Sequence, residues 1–508
     1  MVKVKRIIYQ ILIVLLALLA GAVFVTSLVT TIYYDMHVDV DFPHYKAETV
    51  WHLLVSMAVV FIIFLFLYRK RFFEKNKALI TAALLFCAGY CLLLIFSIKP
   101  LPVNDSKIID DILYALENGD YSSISEPGGY LFIWPFQLGY VFFGQMIDGL
   151  FGHGNYMAWD LIQMASILIT VYLLYRIAWE LFYDKVICGI VSLLSFGMLF
   201  FYNYVTYIYG DIMSMAPQTL ALYFTILFLK RKKMIYGLLT AVFIGTAVVL
   251  KTNCEIALIA TSMVTVLSIF DKKVDKKYRF SALCVVAITF IVVFAMKAGV
   301  DNYYCRLTGL SKIPSGSPSA SHIAMGLQES DLEDGWYNGY NYQVFAANGY
   351  DTEKTKAAAI ENIKERLSFF MQHPGVAAKF FARKFLTQWA DPVCISTHNL
   401  DLVSRHVENP TKLMEYIVFG DGSVIIRWVM NVFMSVCYLC VVVYLISRIG
   451  SGELKEQEML LLILIFGGML FHEFWEGSSR YAMRYYVYWL PYAAFGMKRI
   501  LSFREKKV

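Results

Sequence analysis

The sequence predicts an all-α polytopic membrane protein, and three observations carry this prediction. Of its 508 residues, 58% are hydrophobic and only 17% are charged, whereas soluble domains average about 25% charged residues. Apolar runs recur along the chain, many near the length of about 20 residues that a helix needs to cross a bilayer. Lysine and arginine residues cluster in alternate short loops between these runs, as the positive-inside rule requires. Together these features predict about 12 transmembrane helices.

The first apolar run follows a basic start at Lys3, Lys5 and Arg6. It is too long for the hydrophobic region of a signal peptide, which has about 7–15 residues, so we expect it to remain as a span. The candidate spans are residues 7–30, 51–68, 79–97, 156–178, 186–205, 212–229, 235–250, 254–270, 280–298, 424–446, 459–474 and 481–500.

The basic loops predict that both chain ends are cytoplasmic. Four basic segments, 69–77, 230–233, 272–279 and 498–507, fall on one side when the spans alternate. The net charge of +6 therefore reports membrane topology, and we expect no nucleic-acid partner. The protein is predicted to be a multi-pass protein of the cell membrane.

Residues 130–150 are apolar enough to cross the membrane, but counting them as a span would invert every later loop. We therefore predict a helix lying in the outer interface, anchored by Tyr130, Trp134 and Tyr140. The outer face then receives three loops, at residues 31–50, 98–155 and 299–423, which are predicted to carry short amphipathic helices.

The longest outer loop has its own predicted structure. Residues 355–372 look helical and should end at His373, because proline disfavours the helical conformation in the residue before it. Residues 376–389 mix basic and aromatic side chains, which suits either a headgroup surface or a face packed on the rest of the loop. Cys305 and Cys394 lie in this loop, so a disulfide between them is left open.

Polar residues gather at the predicted outer ends of the spans. Asp105 follows the third span, Asp211 begins a later one, and Lys251 follows the span after that. Each has a simpler structural interpretation: an aspartate at the start of a helix is a preferred N-cap, and a lysine beside a span can extend to the interface. Ionisable groups near the bilayer centre, which transport paths usually need, are scarce.

Two arginines near the C-terminus also require an explanation, since an arginine in an apolar span is expensive unless it is paired. Arg480 and Arg484 share one helical face. Glu476 is the natural partner, and an ion pair with it competes with binding of an anionic ligand as the explanation.

The loop at residues 31–50 contains a different candidate site. His37, Asp39, Asp41 and His44 are ligand types for a metal, with a polar surface loop as the alternative. The identity of any metal is unknown. A divalent metal is left open, and we expect no other cofactor.

The order of these features resembles that of a known family. An acid at Asp105 after an early span, an aromatic-proline helix at Trp134-Pro135, a second acid at Asp211 and a lysine at Lys251 occur in the same order in membrane glycosyltransferases of the GT-C class. The resemblance is to the protein mannosyltransferase and lipid A aminoarabinose transferase group. It covers most of residues 79–500, and the C-terminal motif consists of Trp475-Glu476, Ser479-Arg480-Tyr481 and Leu490-Pro491-Tyr492.

This resemblance implies a domain plan. Residues 1–78 would be an N-terminal two-helix addition, and residues 79–298 a GT-C-like core whose catalytic outer loop is 98–155. Residues 299–423 would form a large extracytoplasmic region, and residues 424–508 the last transmembrane helices with a cytoplasmic tail.

The resemblance also implies an activity: transfer of a sugar from a polyprenyl-phosphate-linked donor to an envelope glycan, lipid or protein acceptor on the outer face, with inversion. Asp105 matches the family's catalytic acid, and Asp211 matches its second outer acid. The expected substrate-binding residues are Lys251, Glu476, Arg480, Tyr481 and Arg484. This chain departs from the family at two places. The family often has Asp-Glu where this chain has Asp105-Ser106, and it often has Lys-Pro-Pro where this chain has Phe132-Ile133-Trp134-Pro135.

Two other functions compete with glycosyl transfer. A carrier or flippase for lipid-linked saccharides would favour internal repeats and mid-membrane polar residues, and the sequence shows neither. A subunit without catalysis is the third hypothesis. The sequon Asn104-Asp105-Ser106 overlaps the proposed base, so a glycan there would obstruct the site. This favours a cell without such glycosylation, hence a bacterial plasma membrane.

Overall fold

The computed structural model of the chain describes residues 2–271, 274–451 and 454–503. Lys272, Lys273 and the basic tail residues Arg504, Lys506 and Lys507, which we assign to cytoplasmic segments, lie outside the described residues. The described residues are predominantly α-helical, with one two-stranded sheet.

The α-helices are α1 (Val2–Val29), α2 (Val50–Arg69), α3 (Asn76–Ile98), α4 (Asp105–Glu117), α5 (Ser122–Ser125), α6 (Tyr130–Ile133), α7 (Leu138–Phe151), α8 (Tyr156–Phe182), α9 (Lys185–Leu194), α10 (Leu199–Tyr202), α11 (Gly210–Met213), α12 (Met215–Arg231), α13 (Met234–Leu250), α14 (Glu255–Ser268), α15 (Lys276–Thr308), α16 (Ser319–Gly326), α17 (Tyr340–Ala347), α18 (Thr352–Gln372), α19 (Pro374–Trp389), α20 (Ser396–Ser404), α21 (Lys412–Met414), α22 (Asp421–Arg448), α23 (Glu456–Phe474), α24 (Ser479–Tyr486) and α25 (Leu490–Leu501). The strands are β1 (Thr30–Tyr33) and β2 (His44–Ala47).

Eight helical segments of the described chain are long and apolar enough to cross a membrane. They are Lys3–Val29, Val50–Arg69, Phe72–Ile98, Tyr156–Phe182, Gly210–Arg231, Lys276–Thr308, Asp421–Arg448 and Glu456–Phe474. A ninth forms if the pair Lys185–Gly197 and Leu199–Thr206, bent by 57°, counts as one span. The all-α polytopic fold is thus confirmed, while the number of about 12 spans stays a prediction.

Three further predicted spans differ from a single long helix. The spans at 235–250 and 254–270 form the short apolar helices α13 and α14. The span at 481–500 is divided between α24 and α25 by a 3₁₀ turn over Val487–Trp489. A helix rises about 1.5 Å per residue, so each piece alone is shorter than a bilayer core of about 30 Å.

The segment at 130–150 is broken into α6, a 3₁₀ turn and the 14-residue α7. None of these pieces reaches the length of about 20 residues that a crossing requires. The start of α7 packs closely against the end of α13. Gly139 makes this possible, since a Cβ added there would lie only 2.0 Å from the carbonyl oxygen of Val249. This packing brings α7 next to Lys251, which directly follows α13.

The long outer loop folds as predicted around its proline. The Asp351 carboxylate caps α18 by accepting hydrogen bonds from two backbone N–H groups, each at 3.0 Å. Pro374 follows at the first position of α19. On α19, Phe380, Lys384 and Trp389 are buried. The structure therefore supports the packed face for this helix.

Two features of the outer loops are decided only by the structure. The loop at 31–50 contains the antiparallel pair β1–β2, which the sequence analysis does not predict. Cys305 and Cys394 are both free, so they form no disulfide.

Candidate active site

The centre of the candidate site is a buried ion pair between Asp211 and Lys251. Asp211 lies in α11 and is 1% exposed, and its Oδ2 lies 3.0 Å from the Lys251 Nζ. Gly210 allows this approach, since a Cβ there would lie 2.6 Å from the carbonyl oxygen of Leu250. The Lys251 Nζ also lies 4.3 Å from the ring centroid of Tyr209. The acid and the lysine, 40 residues apart in sequence, thus form one unit.

Two arginines of α24 face the same region. The Arg480 Nη1 donates a hydrogen bond to the Tyr207 hydroxyl at 2.7 Å, and its guanidinium lies 5.6 Å from the ring centroid of Tyr209. Arg484 is 1% exposed and donates from Nη2 to the Ser214 Oγ at 2.6 Å. Tyr207 and Ser214 lie on either side of Asp211 in the sequence. Both guanidinium groups of α24 therefore contact the chain segment that carries the acid of the ion pair.

Three guanidinium nitrogens in this cluster are buried without a hydrogen-bond partner in the described part of the chain. They are the Nε of Arg480 and the Nε and Nη1 of Arg484. The described residues also contain no ion pair between either arginine and Glu476. Of the two alternatives for these arginines, the ion pair with Glu476 is thus not formed in the described chain, and the arginines keep donor capacity for an anionic ligand.

Glu476 lies in the connection between α23 and α24. The Tyr481 hydroxyl donates to its Oε1 at 3.1 Å. Burial raises the pKa of Glu476 to about 7, although the charges of Arg480 and Lys251 and the Tyr481 hydrogen bond lower it. The nearby charge of Asp105 also raises it. The two outer carboxylates are therefore close enough to interact electrostatically.

Asp105 is the first residue of α4 and is half-buried. The N-cap of this helix is Asn104, which has a φ of 49° and makes no side-chain capping bond. The interpretation of Asp105 as an N-cap is thus wrong by one residue. Burial raises the pKa of Tyr207 to about 12; Arg480 lowers it and the Asp105 charge raises it. Asp105 accordingly lies within electrostatic range of the same tyrosine that Arg480 contacts.

The structure brings together all seven predicted site residues. Asp211 and Lys251 form the ion pair, Arg480 and Arg484 flank it, Glu476 and Tyr481 are hydrogen-bonded, and Asp105 lies within electrostatic range. Tyr207 and Tyr209 are site residues that were not predicted from the sequence, although their aromatic-x-aromatic pattern directly before Gly210-Asp211 could have indicated them.

Lys384 supports the site from the large outer region and is a second residue that the sequence analysis does not assign to it. It is fully buried, and its Nζ donates to the carbonyl oxygens of Gly326 at 2.5 Å, Trp475 at 2.7 Å and Glu473 at 3.0 Å. Burial lowers the pKa of Lys384 to about 8, whereas the charges of Glu473 and Glu476 raise it. The ammonium thereby joins α16 and α19 to the chain just before Glu476.

We expect Lys384→Met to lower both thermal stability and turnover at the candidate site, because three carbonyl groups lose a buried cationic donor. An unsatisfied buried polar group costs about 1–3 kcal/mol. Thermal unfolding and turnover of the purified protein measure the two effects. Lys379→Met, an exposed lysine of the same helix, is the control and should change neither. Equal stability and turnover in both variants would contradict the role of Lys384.

The metal-type motif of residues 37–44 does not form a metal centre in the structure. His37 faces Asp401, with Nδ1 at 3.7 Å from Oδ1, while Asp39 pairs with Arg405 at 2.5 Å. His44 pairs with Asp35 at 2.8 Å. Across residues 2–271, 274–451 and 454–503, no group of three histidine, cysteine or acidic side chains could hold a metal ion.

Comparison with known proteins supports the family resemblance. Residues 138–296 match the family model of dolichyl-phosphate-mannose-protein mannosyltransferases. The predicted resemblance is confirmed over this segment. It contains Asp211 and Lys251, whereas Asp105 and the two arginines lie outside it. The match supports glycosyl transfer at a membrane as the general class of activity. No curated protein matches the sequence significantly.

Two solved membrane enzymes are similar to the chain at low identity. One is the archaeal oligosaccharyltransferase AglB from Archaeoglobus fulgidus, in complex with an inhibitory peptide and a dolichol-phosphate, with 16% identity and a TM-score of 0.44. The match covers 85% of this chain and 52% of AglB, so this chain spans about half the length of that protein. The other is ArnT from Cupriavidus metallidurans in the apo state, with 11% identity, a TM-score of 0.32, and coverage of 83% and 77%.

Proposed function

We propose that the protein transfers a sugar from a polyprenyl-phosphate-linked donor to a glycan, lipid or protein acceptor on the outer face of the membrane. One observation carries this proposal. Buried guanidinium donors of Arg480 and Arg484 lie without partners beside the Asp211–Lys251 pair, and Asp105 lies nearby. A phosphodiester satisfies guanidinium donors, and an acceptor hydroxyl needs a base.

The proposed reaction is a single displacement. Asp105 takes the proton of the acceptor hydroxyl, and the resulting oxygen attacks the anomeric carbon of the sugar. The bond from that carbon to the phosphate oxygen breaks, and polyprenyl phosphate leaves with the electron pair. Arg480 and Arg484 stabilise the negative charge that develops on the phosphate. With one carboxylate as base and no covalent intermediate, the anomeric configuration inverts.

Asp211 has a different role in this mechanism from Asp105. Its Oδ2 is held by the Lys251 ammonium at 3.0 Å and the side chain is buried. We assign it the positioning of Lys251, whose charge adds to that of the two arginines. The more exposed Asp105 is left as the base, since it can reach an acceptor that arrives from outside.

The direct test is transfer by the purified chain in proteoliposomes. A panel of polyprenyl-phosphate sugars, radiolabelled in the sugar, is presented with candidate acceptors, and free polyprenyl phosphate and labelled product are both measured. The proposal predicts that the two appear in equal amounts. Movement of intact donor between leaflets without its cleavage would instead identify a flippase and reject the enzyme.

We expect Arg480→Lys to weaken use of the donor although the charge is kept. The planar guanidinium donates two parallel hydrogen bonds to phosphate, which an ammonium does not reproduce. Loss of one charge-assisted hydrogen bond corresponds to about 1.5–3 kcal/mol, or roughly ten- to a hundred-fold in kcat/KM for the donor. Initial rates at varied donor concentration measure the change.

Arg427→Lys is the matched control for this variant, because Arg427 is also half-buried and lies over an aromatic ring, that of Tyr33, away from the site. Its kcat/KM for the donor should stay near that of the unmodified protein. If Arg480→Lys lowers stability but leaves donor dependence unchanged, Arg480 belongs to the scaffold.

The raised pKa of Glu476 predicts that donor binding depends on pH. Its pKa of about 7 means that it is neutral below this pH and anionic above it. A phosphodiester donor keeps one negative charge throughout, so the KM for the donor should rise as the pH increases through 7. One partly screened charge changes affinity by about fivefold. Glu476→Gln should remove the rise, and a rise of the same size in that variant would contradict the assignment.

A further inference from the structure

A charged cavity lies at the end of the helix bundle away from the candidate active site. It has a volume of about 640 Å³ and is bounded by the start of α3, the second half of α8 and the start of α9. Its basic residues are Lys75, Lys77, Arg176 and Lys185, and its aromatic residues are Tyr172, Tyr175 and Trp179. It shares no residue with the candidate active site.

The directions of two helices place this cavity far from the site. The helix α3 begins in the cavity and runs 23 residues toward the loop that leads to Asp105. The helix α8 begins after that loop, at Tyr156, and reaches the cavity only at Tyr172. At about 1.5 Å per residue, the 16 residues from Tyr156 to Tyr172 correspond to roughly 24 Å along α8. The cavity thus lies at the end that the positive-inside rule predicts to be cytoplasmic.

The cations of this cavity are not neutralised by the protein. None of the four basic residues forms an ion pair with a carboxylate within the described parts of the chain, and the acid in the lining, Glu74, pairs with Arg71 at 2.7 Å. Arg176 is oriented by hydrogen bonds to the hydroxyls of Tyr172 at 3.3 Å and Tyr223 at 3.1 Å. The cavity therefore combines an oriented guanidinium with the ammonium groups of three exposed lysines.

A neighbouring cavity of about 580 Å³ provides a comparison. It also contains four basic residues, but Arg448 pairs with Glu458, and Lys498 pairs with Asp184. Half of its positive charge is already compensated inside the protein. The first cavity is consequently the better site for an anion.

The remaining lining favours a lipid over a free ion. Tyr172 and Trp179 give accessible amphipathic walls of the kind found at membrane interfaces, and Ala78 adds an exposed apolar position on α3. Acyl chains can pack on such a surface while the phosphate stays among the cations. We propose that this cavity binds the head group of an anionic phospholipid, through its phosphate, on the face opposite the active site.

The test uses native mass spectrometry of the full chain in detergent. Phosphatidylglycerol is titrated against phosphatidylcholine with the same acyl chains. Phosphatidylglycerol should be retained preferentially. The triple variant Lys75→Gln, Lys77→Gln, Lys185→Gln should bind it more weakly by about hundredfold, since each basic residue near an anionic head group contributes about fivefold. All three lysines are exposed, so size-exclusion profiles should not change.

The control removes the same charge from the same end of the molecule. Lys233→Gln, Lys276→Gln and Lys277→Gln change exposed lysines that do not line the cavity, and this variant should retain phosphatidylglycerol. Equal retention by both triple variants would overturn the site. Displacement of phosphatidylglycerol by millimolar inorganic phosphate would overturn the lipid assignment and identify a free-phosphate site. Sugar transfer is not the readout, so this result is independent of the proposed function.

Discussion

Asp105→Asn should abolish sugar transfer while the protein folds and keeps its donor affinity. The amide has nearly the same shape as the carboxylate but cannot accept the proton of an acceptor hydroxyl. General-base catalysis contributes about 10²–10⁴-fold to rate, so turnover should fall by at least two orders of magnitude. Because Asp105 does not occupy the N-cap position and is half-buried, we expect little change in stability.

The control for this variant is Asp111→Asn on the same helix. Asp111 is an exposed acid that pairs with Lys107, so its removal changes local charge but not the proposed base. Single-turnover rates and thermal unfolding should be measured for both variants. Transfer by Asp105→Asn at the rate of Asp111→Asn would remove Asp105 from the mechanism.

Asp211→Asn is expected to have the second large effect, and here stability and activity should fall together. The substitution leaves the Lys251 ammonium buried without its counter-charge, which destabilises proteins by about 3–5 kcal/mol. Adding Lys251→Met removes the unpaired charge and should restore much of the thermal stability. It should not restore transfer, because the positive charge beside the arginines is then missing.

Glu180→Gln provides the matched control for a buried carboxylate. The Glu180 side chain is 4% exposed and pairs with Lys230 and Arg231, away from the candidate site. This variant should be less stable but should retain its turnover per folded molecule. If the Asp211→Asn, Lys251→Met protein regained both stability and transfer, the ion pair would be structural only.

The sequence by itself determined the class of the protein. A helix that crosses a bilayer must satisfy its own backbone and present apolar side chains to lipid, so composition and run length are strong signals. The same local rules located the break at His373-Pro374. The order of Asp105, Asp211 and Lys251 was sufficient to indicate the family resemblance, which is confirmed over residues 138–296.

Only the tertiary structure decided which polar groups meet. From sequence alone Arg480 had Glu476 as its natural partner, four residues away, but the fold directs it to Tyr207. Asp211 reaches Lys251 because Gly210 lets two backbones approach. The burial of Lys384 depends on three carbonyl groups from two separate segments, at Gly326 and at Glu473 and Trp475. Such contacts arise from packing between distant segments, and the local patterns of a single sequence carry no information about that packing.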